Sequence, residues 1–541
     1  MRTAKVVLLP IFLAASLATG TQTTPVTSIE VTTRLVEINV VVRDKNGPLA
    51  GLTKENFTVF DNGKPQRIDV FSVSDSRSRK QTSLGTVRPG FASNRINAAG
   101  EVPESATVIL FDTLNSSNDG TSQTDALGRQ TNNVPQLGAA TNNLTAINDQ
   151  KEAIKQLVNY LRTIREGDRV APFVLGSQLR VFQDFTGDPN TLVRAAARIR
   201  DLDQAGVEVT SMDQLATLMS TDATPMFDFA GAMTMSSTVV RATATADAFE
   251  AIARHMSGLP GRKNLVWLSA GFPFKPIVRQ RTLGVQAQPA VENANDFSDQ
   301  LKRAEKALND ANVAVYPVDY QGLNGNYPEV MMRLADATGG NVSYHTNDLT
   351  SAVTTAIADS DVSYTLGFYS SDKREDGKLH DIKVKVDHKD VELHYRSGYY
   401  STPLTLSEKQ RKAVVGELLS SEVNSSQIGL VVTADADTAI PGSWKITISV
   451  DSSHLSLTPK GDRQVGQLSL VMRLESAKSK NLLSGAIPLS FNEEQFQNVL
   501  KHGFVIHQTV QTSSNDRLRI VVQDQSTGLT GAVWVPLKTS Q

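Results

Sequence analysis

Val108-Ile109-Leu110-Phe111-Asp112-Thr113-Leu114-Asn115-Ser116 is the stretch on which the reading of the fold turns. Four apolar residues in a row, with no polar alternation, suit a strand buried on both faces, as strands of parallel sheets are. The run stops at an acid. It passes into a stretch from Asn115 to Asn143 dense in Ser, Thr, Asn, Gln and Gly, which cannot bury a core and reads as an insertion. Downstream, Ile154, Leu157, Val158, Leu161 and Ile164 share one helical face, with Asp149 and Glu152 resembling a capping box. Val170 to Leu175 and Leu179 to Phe182 read as strands turning at Gly176, with Pro172 awkward in the first.

The alternation continues. A helix over 189–200 precedes a second insertion, 203–240, carrying Met212, Met219, Met226, Met233 and Met235. Those methionines could form an adaptable binding surface or pack down on their own domain. Then come a helix with Phe249, Ile252, Ala253 and Met256, a strand Leu265 to Leu268, a helix with Phe297, Leu301, Ala304 and Leu308, and a strand Val313 to Val318. A helix from Pro328 ends at Gly339-Gly340, a short strand lies around Val342, and a last helix runs from Leu349 to Ile357. Such regular alternation predicts an α/β domain over 105–360 with a mostly parallel sheet flanked by helices.

On either side the pattern is β. In 29–75, Val36, Ile38, Val40 and Val42 alternate with polar residues, and Asp44-Lys45-Asn46-Gly47 and Asp61-Asn62-Gly63 mark turns. Residues 76–104 are polar and read as a linker. In 361–402, Val362 to Phe368, Ile382 to Val386 and Val391 to Tyr395 are strand-like. This segment is expected to complete one sandwich with 29–75, since each has few strands alone. After a helix over 407–420, alternation in Trp444 to Val450, Leu468 to Leu474 and Leu518 to Val522 predicts an all-β sandwich within the C-terminal domain 405–541.

Composition narrows the function classes. The 541 residues carry 54 Lys+Arg and 56 Asp+Glu, net −2, which lacks the basic excess of a nucleic-acid binder. There is no cysteine, which excludes disulfides, thiolate metal sites and a catalytic thiol. Arg2 and Lys5 precede an apolar run, Val6 to Leu17, and small residues follow around Ala18 to Gly20. Residues 1–20 therefore read as a secretory signal. A membrane anchor is the weaker alternative, because a span takes ~20 apolar residues. Cleavage would leave 52 basic and 56 acidic residues, net −4, and an exported protein, periplasmic or extracellular, with no later transmembrane segment.

Several stretches together resemble a von Willebrand factor type A domain, and more closely the type-A-related family first described from acidobacterial genomes. They are Val40-Val41-Val42-Arg43-Asp44, Leu52-Thr53-Lys54-Glu55-Asn56-Phe57, Phe111 to Asn115, Gln183-Asp184-Phe185-Thr186, Gly261 to Ser269, Ala337-Thr338-Gly339-Gly340 and Tyr364 to Phe368. The likeness spans roughly 29–402. It implies a Rossmann-like α/β fold used chiefly as a binding module. It also implies a site for Mg²⁺ or another divalent cation at the top of the sheet, built from Asp-x-Ser-x-Ser, a loop Thr and a second Asp. Oxygen ligands suit such a hard cation. Asp112 and Ser116 match the ends of the first motif, and Thr245, expected to open the helix before the fourth strand, is the best match to the Thr. Leu114 replaces the middle Ser, and Ser269-Ala270-Gly271 stands where the second acid belongs, so the implied site is degenerate. Asp119 or Asp125 could supplement it; alternatively Asp112 only caps its strand end. The binding face is expected around Asp112, Asn115, Ser116, Thr245 and Ser269, beyond the carboxyl ends of the strands.

No phosphate-binding loop, nucleophile elbow or paired-His metalloprotease motif is present in the sequence. His380, His388 and His394 could share a metal but read more simply as solvent-facing, and His502 and His507 lack an acid at ligand spacing. Tyr395, Tyr399 and Tyr400 could anchor a partner or close a β unit. The expectation is an exported, non-catalytic protein that binds an unidentified protein or envelope ligand and no nucleic acid. The rivals are a structural or assembly component of the envelope without metal, and an unrecognised hydrolase.

Overall fold

The computed structural model describes residues 35–75, 90–95, 105–115, 151–165, 168–176, 178–204, 226–270, 298–320, 329–344, 348–370, 378–401, 406–475, 482–512 and 516–537. The signal, Asp149, Phe297, Pro328, Met212, Met219 and most of the two insertions lie outside them.

The Asp112 strand, Ser105–Asp112, sits in the middle of a five-stranded sheet. It pairs in parallel with Arg262–Ser269 on one side and Val170–Leu175 on the other. Val313–Asp319 joins beyond Arg262–Ser269, also in parallel, and the short strand Leu179–Val181 closes the opposite edge antiparallel. Every residue of Val170–Leu175, Arg262–Ser269 and Val313–Asp319 is buried, which is why these segments show no alternation. One face packs on the helix through 151–161, Leu192 and Ala195 of Pro189–Gln204, and Leu349–Ala358. The other takes Phe249, Ile252 and Met256 of Met226–Met256, Leu301 and Leu308 of Ser298–Asp310, and Met331 and Leu334 of Glu329–Thr338.

Pro172 is tolerated for a local reason. In the hairpin the Phe182 N–H donates to Pro172 O (3.1 Å), so the N–H that proline lacks would have faced Phe182 O, where the edge strand has already ended. That carbonyl accepts from Arg198 Nη1 (3.4 Å) instead.

The flanking β segments pair across the α/β domain. Leu35–Asp44 pairs antiparallel with Val362–Tyr369 and with Glu392–His394, and Val70–Asp75 pairs with Val362–Tyr369. A second sheet joins Phe57–Asp61 to Leu379–Val386 and the latter to Gly398–Tyr400. Ile38, Val40, Phe57, Val59, Tyr364, Leu366, Ile382 and Tyr399 fill the space between. The turn at Asn62-Gly63 has φ of 48° and 77°, the pair of positive values a two-residue hairpin loop requires.

Three sequence expectations are corrected here. The linker 76–104 contains a strand, Phe91–Ser93, which is the edge of a C-terminal sheet through its pairing with Leu430–Ala436. Three residues are too few to show periodicity; backbone bonds and two side chains hold the strand. Asn94 Nδ2 donates to Ile428 O (2.8 Å), and Arg95 Nε donates to Ser426 O (2.8 Å) and pairs with Asp451. The insertion 203–240 is helical from Met226 onward, as part of Met226–Met256. The C-terminal region is not all-β: besides Glu408–Ser420 it holds Glu493–His502, capped by Asn492, whose side chain accepts from Gln495 N (2.8 Å). Its two sheets enclose Trp444, Ile446, Leu470, Ile520 and Val535. Among the described residues no helix is long and apolar enough to cross a membrane.

Candidate functional site

Asp112 ends its strand where the sheet's central strands give way to loops, and it is fully buried. The chain turns at once, held by Thr113 N and Leu114 N donating to Leu175 O (2.8 and 3.1 Å). Both carboxylate oxygens are engaged. Oδ1 accepts from the backbone N–H groups of Leu114 (3.0 Å) and Asn115 (3.1 Å). Oδ2 accepts from Asn115 Nδ2 (2.8 Å), Trp267 Nε1 (3.1 Å) and Ser269 Oγ (2.8 Å). Asn115 Nδ2 also reaches Thr245 Oγ1 (3.0 Å), which donates to Arg241 O (2.9 Å). The site thus brings together Asp112, Asn115, Thr245 and Ser269. Ser116, Asp119 and Asp125 lie outside the described residues. Thr245 is corrected in one respect: it sits deep within Met226–Met256 and does not open a helix.

Trp267 is the member that sequence reasoning missed. In a run of apolar residues it reads only as core, and it is indeed fully buried, edge-on to Phe249 with ring centroids 5.1 Å apart. Its indole N–H needs a partner in that setting, and Asp112 is that partner. The signal in the sequence is a tryptophan two residues before Ser269 at the carboxyl end of an adjacent strand.

Burial pushes the Asp112 carboxyl above its usual range, while the donors of Asn115, Ser269 and Trp267 act the other way. A carboxylate offers roughly four acceptor directions, and five N–H and O–H groups already use them. At Asp112 itself a divalent cation would compete with those donor hydrogens; beside it, the buried Asn115 Oδ1 has no hydrogen-bond partner among the described residues. Leu114 and Ala270 offer no side-chain oxygen, and among the described residues no second carboxylate hydrogen-bonds with the Asp112 cluster. The described residues do not by themselves complete a divalent-cation site, and the implied ligand Ser116 lies outside them. Among the described residues no group of three or more His, Asp or Glu side chains is placed to hold one elsewhere.

The histidine expectation is corrected. His380 and His394 are buried, not solvent-facing, and sit in separate networks. His380 lies against Asp61 (3.3 Å) and Tyr399 Oη (3.1 Å). His394 Nδ1 is 2.9 Å from Asp359 Oδ2. Asp359 is fully buried at the opposite end of the domain from Asp112, where the domain meets the flanking sandwich. It accepts from Arg43 and from Tyr316 Oη (2.7 Å), and the same hydroxyl accepts from Arg262 Nη2 (2.8 Å). Burial alone would raise Asp359; the His394 hydrogen bond and charge, with Arg43 and Arg262, bring it below the usual carboxylate value. Tyr399 is buried and Tyr400 lies under the Lys306 ammonium, 4.6 Å from its ring centre, so these tyrosines close the β unit.

No family model and no curated protein matches this chain. Among solved structures it resembles an aerotolerance-related membrane protein from Bacteroides fragilis (12% identity, 47% of this chain and 98% of that one, TM-score 0.24). It also resembles BatB from Bacteroides thetaiotaomicron (14%, 47% and 97%, TM-score 0.23). A von Willebrand factor type A protein from Catenulispora acidiphila matches more of the chain (12%, 87% and 74%, TM-score 0.23). Likenesses this distant establish neither family nor activity.

Proposed function

We propose that this is an exported, non-catalytic binding protein whose type-A-like α/β domain engages a protein or envelope ligand at the Asp112 end of its sheet without a metal ion. One observation carries the reading: the buried Asp112 carboxylate is satisfied by five donors from two segments, 114–115 and 267–269. Those bonds fix the loop 113–115 against Trp267, Ser269 and Thr245. A loop set in advance loses less entropy on binding, which is what a recognition surface needs. A buried acid with no free lone pair is poorly placed for general acid–base work. The Rossmann-like label fits the parallel pairings around Ser105–Asp112. The signal-like residues 1–20 support the envelope as the setting.

The test is capture of envelope proteins on the immobilised protein, with and without chelator, for wild type and Asp112→Ala. The expected result is chelator-insensitive capture that the substitution reduces at least tenfold. Capture that needs divalent cations, or that Asp112→Ala leaves unchanged, contradicts the proposal. A structural role without a partner at this face predicts the second of those outcomes.

A further inference from the structure

His255 lies near the end of the helix Met226–Met256, where the α/β domain meets the C-terminal region, and its ring is buried. Phe185 stacks on the ring with centroids 5.2 Å apart, and Phe173 meets it at 5.6 Å. Nδ1 is 3.1 Å from the backbone oxygen of Asn424, in the C-terminal region. Nε2 is 3.1 Å from Asp184 Oδ1, in the loop before the helix Pro189–Gln204. From these two contacts we infer a conformational device: His255 is a proton-operated clamp, joining Asp184 to Asn424 while its ring is charged and releasing Asn424 when the ring loses a proton.

Hydrogen-bonding capacity sets this up. A backbone carbonyl can only accept, and so can an ionised carboxylate. A neutral imidazole has one N–H, so it serves one of these oxygens and sets a lone pair against the other. The imidazolium, with two N–H groups, serves both. Loss of water alone would raise the Asp184 carboxyl; the His255 charge and hydrogen bond bring it below its usual range, so Asp184 is the anion of the pair. The acceptors also set the direction of release. Bonds to a charged acceptor are the stronger ones, so the neutral ring keeps its N–H on Nε2, toward Asp184. The Nδ1 lone pair then faces Asn424 O, and an attraction across the junction becomes a repulsion. The clamp holds while the ring carries both protons and is lost as pH rises through histidine's range.

Among the described residues Asp184 is the only charged group bonded to the ring. On its own helix, Arg254 pairs with Glu417 of Glu408–Ser420 (2.6 Å) and lies 3.8 Å from Glu250. Arg303 of Ser298–Asp310 pairs with Glu250 and Asp247. From the C-terminal sheet, Arg519 donates to Asn424 Oδ1 (2.7 Å) and fixes the residue whose carbonyl the ring holds. Phe173, Phe185, Ser425 and Ser426 bring no charge. Two more groups titrate near the junction. The Lys263 ammonium donates to Leu259 O (3.1 Å), and His454 lies beside Ser453 and Asp451, the acid that pairs with Arg95. The rest of the junction beside the ring is neutral: Ser426 Oγ donates to His255 O (2.6 Å) and accepts from Gly258 N (2.8 Å).

The test joins histidine-selective nitrogen NMR of the full chain to hydrogen exchange at the Gly258 amide, whose bond to Ser426 Oγ crosses the junction. At about pH 5 both His255 nitrogens are expected to carry protons, and at about pH 9 Nε2 alone. Over that range the protection of Gly258, corrected for intrinsic exchange, is expected to fall about tenfold, with the same midpoint as the ring. Asp184→Asn places an amide donor opposite Nε2, so a neutral ring can keep Nδ1–H on Asn424 O. In that variant the fall is expected to shrink below about twofold. Lys263 and His454 are unchanged there, so a fall that persists in Asp184→Asn belongs to them and overturns the proposal. A wild-type ring with a single N–H at about pH 5 overturns it too, as does a proton left on Nδ1 at about pH 9. So does Gly258 protection that does not follow the ring's midpoint, a comparison that needs no variant. None of these outcomes depends on Asp112→Ala, so the clamp and the Asp112 face fail separately.

Discussion

Asp112 and Asp359 are both fully buried carboxylates at opposite ends of one domain, and they are satisfied in opposite ways. Asp112 is surrounded by neutral dipoles: two backbone amides, a side-chain amide, an indole and a hydroxyl. Asp359 is surrounded by Arg43 and His394, with a tyrosine that Arg262 in turn supports. Neutral donors do not fully offset the loss of water, and the Asp112 carboxyl rises. Opposite charges do offset it, and the Asp359 carboxyl falls. Lys263 repeats the first case with the sign reversed. Its ammonium donates to Leu259 O (3.1 Å), among the described residues no carboxylate pairs with it, and burial brings it down to about 8. Cations hold Asp359 where the α/β domain meets the flanking sandwich; dipoles hold Asp112 where the loop 113–115 turns.

The largest expected effect comes from Asp359→Ala. Removing one partner of a buried ion pair costs about 3–5 kcal/mol, so chemical denaturation should show the α/β domain and flanking sandwich losing stability together. Asp112→Ala removes no counter-charge; Leu114 N keeps Leu175 O, Asn115 Nδ2 keeps Thr245 Oγ1, and water entering the vacated space takes the remaining donors, so it should cost less, on the order of 1–3 kcal/mol. The reverse order would break the comparison.

Acid titration sharpens it. Asp359 is lowered in the fold, so its contribution is present above about pH 4 and is lost as pH falls through the folded value. Asp112 is raised, so between the unfolded and folded values its contribution shrinks as pH rises. Thermal unfolding followed from pH 3 to 7 should therefore show a flatter acid limb in Asp359→Asn and a steeper one in Asp112→Asn. At the basic end, unfolded Lys263 holds its proton to about pH 10.4, so wild-type stability should rise from about pH 8 upward. Lys263→Met should raise the stability at pH 7 and abolish that rise. The smallest effect is Thr245→Val, which removes the hydroxyl between Asn115 and Arg241 O; about 1 kcal/mol is expected, readable as a shift in the denaturation midpoint.

The long periodic elements were legible in the sequence because burial on both faces writes itself as unbroken apolar runs: Val108 to Phe111, Leu265 to Leu268 and Val313 to Val318 all form strands. Elements held by backbone and single side chains were not. Phe91–Ser93 is an edge strand because of Asn94, Arg95 and its pairing with Leu430–Ala436, none of which leaves a periodic trace. Within the site, Asp112, Asn115, Thr245 and Ser269 could be named from the sequence. Their mode of satisfaction could not, because whether Asp112 meets a cation or hydrogen-bond donors depends on where Trp267 and Asn115 point. His380 and His394 were unreadable for the same reason: their partners Asp61 and Asp359 are distant in the chain.

The most direct test of the account is calorimetric titration of the full chain with Mg²⁺, Mn²⁺ and Ca²⁺. With five donors occupying Asp112, the account predicts no saturable heat from any of the three and an unchanged thermal midpoint in their presence. Stoichiometric binding of one ion that disappears in Asp112→Ala would contradict it.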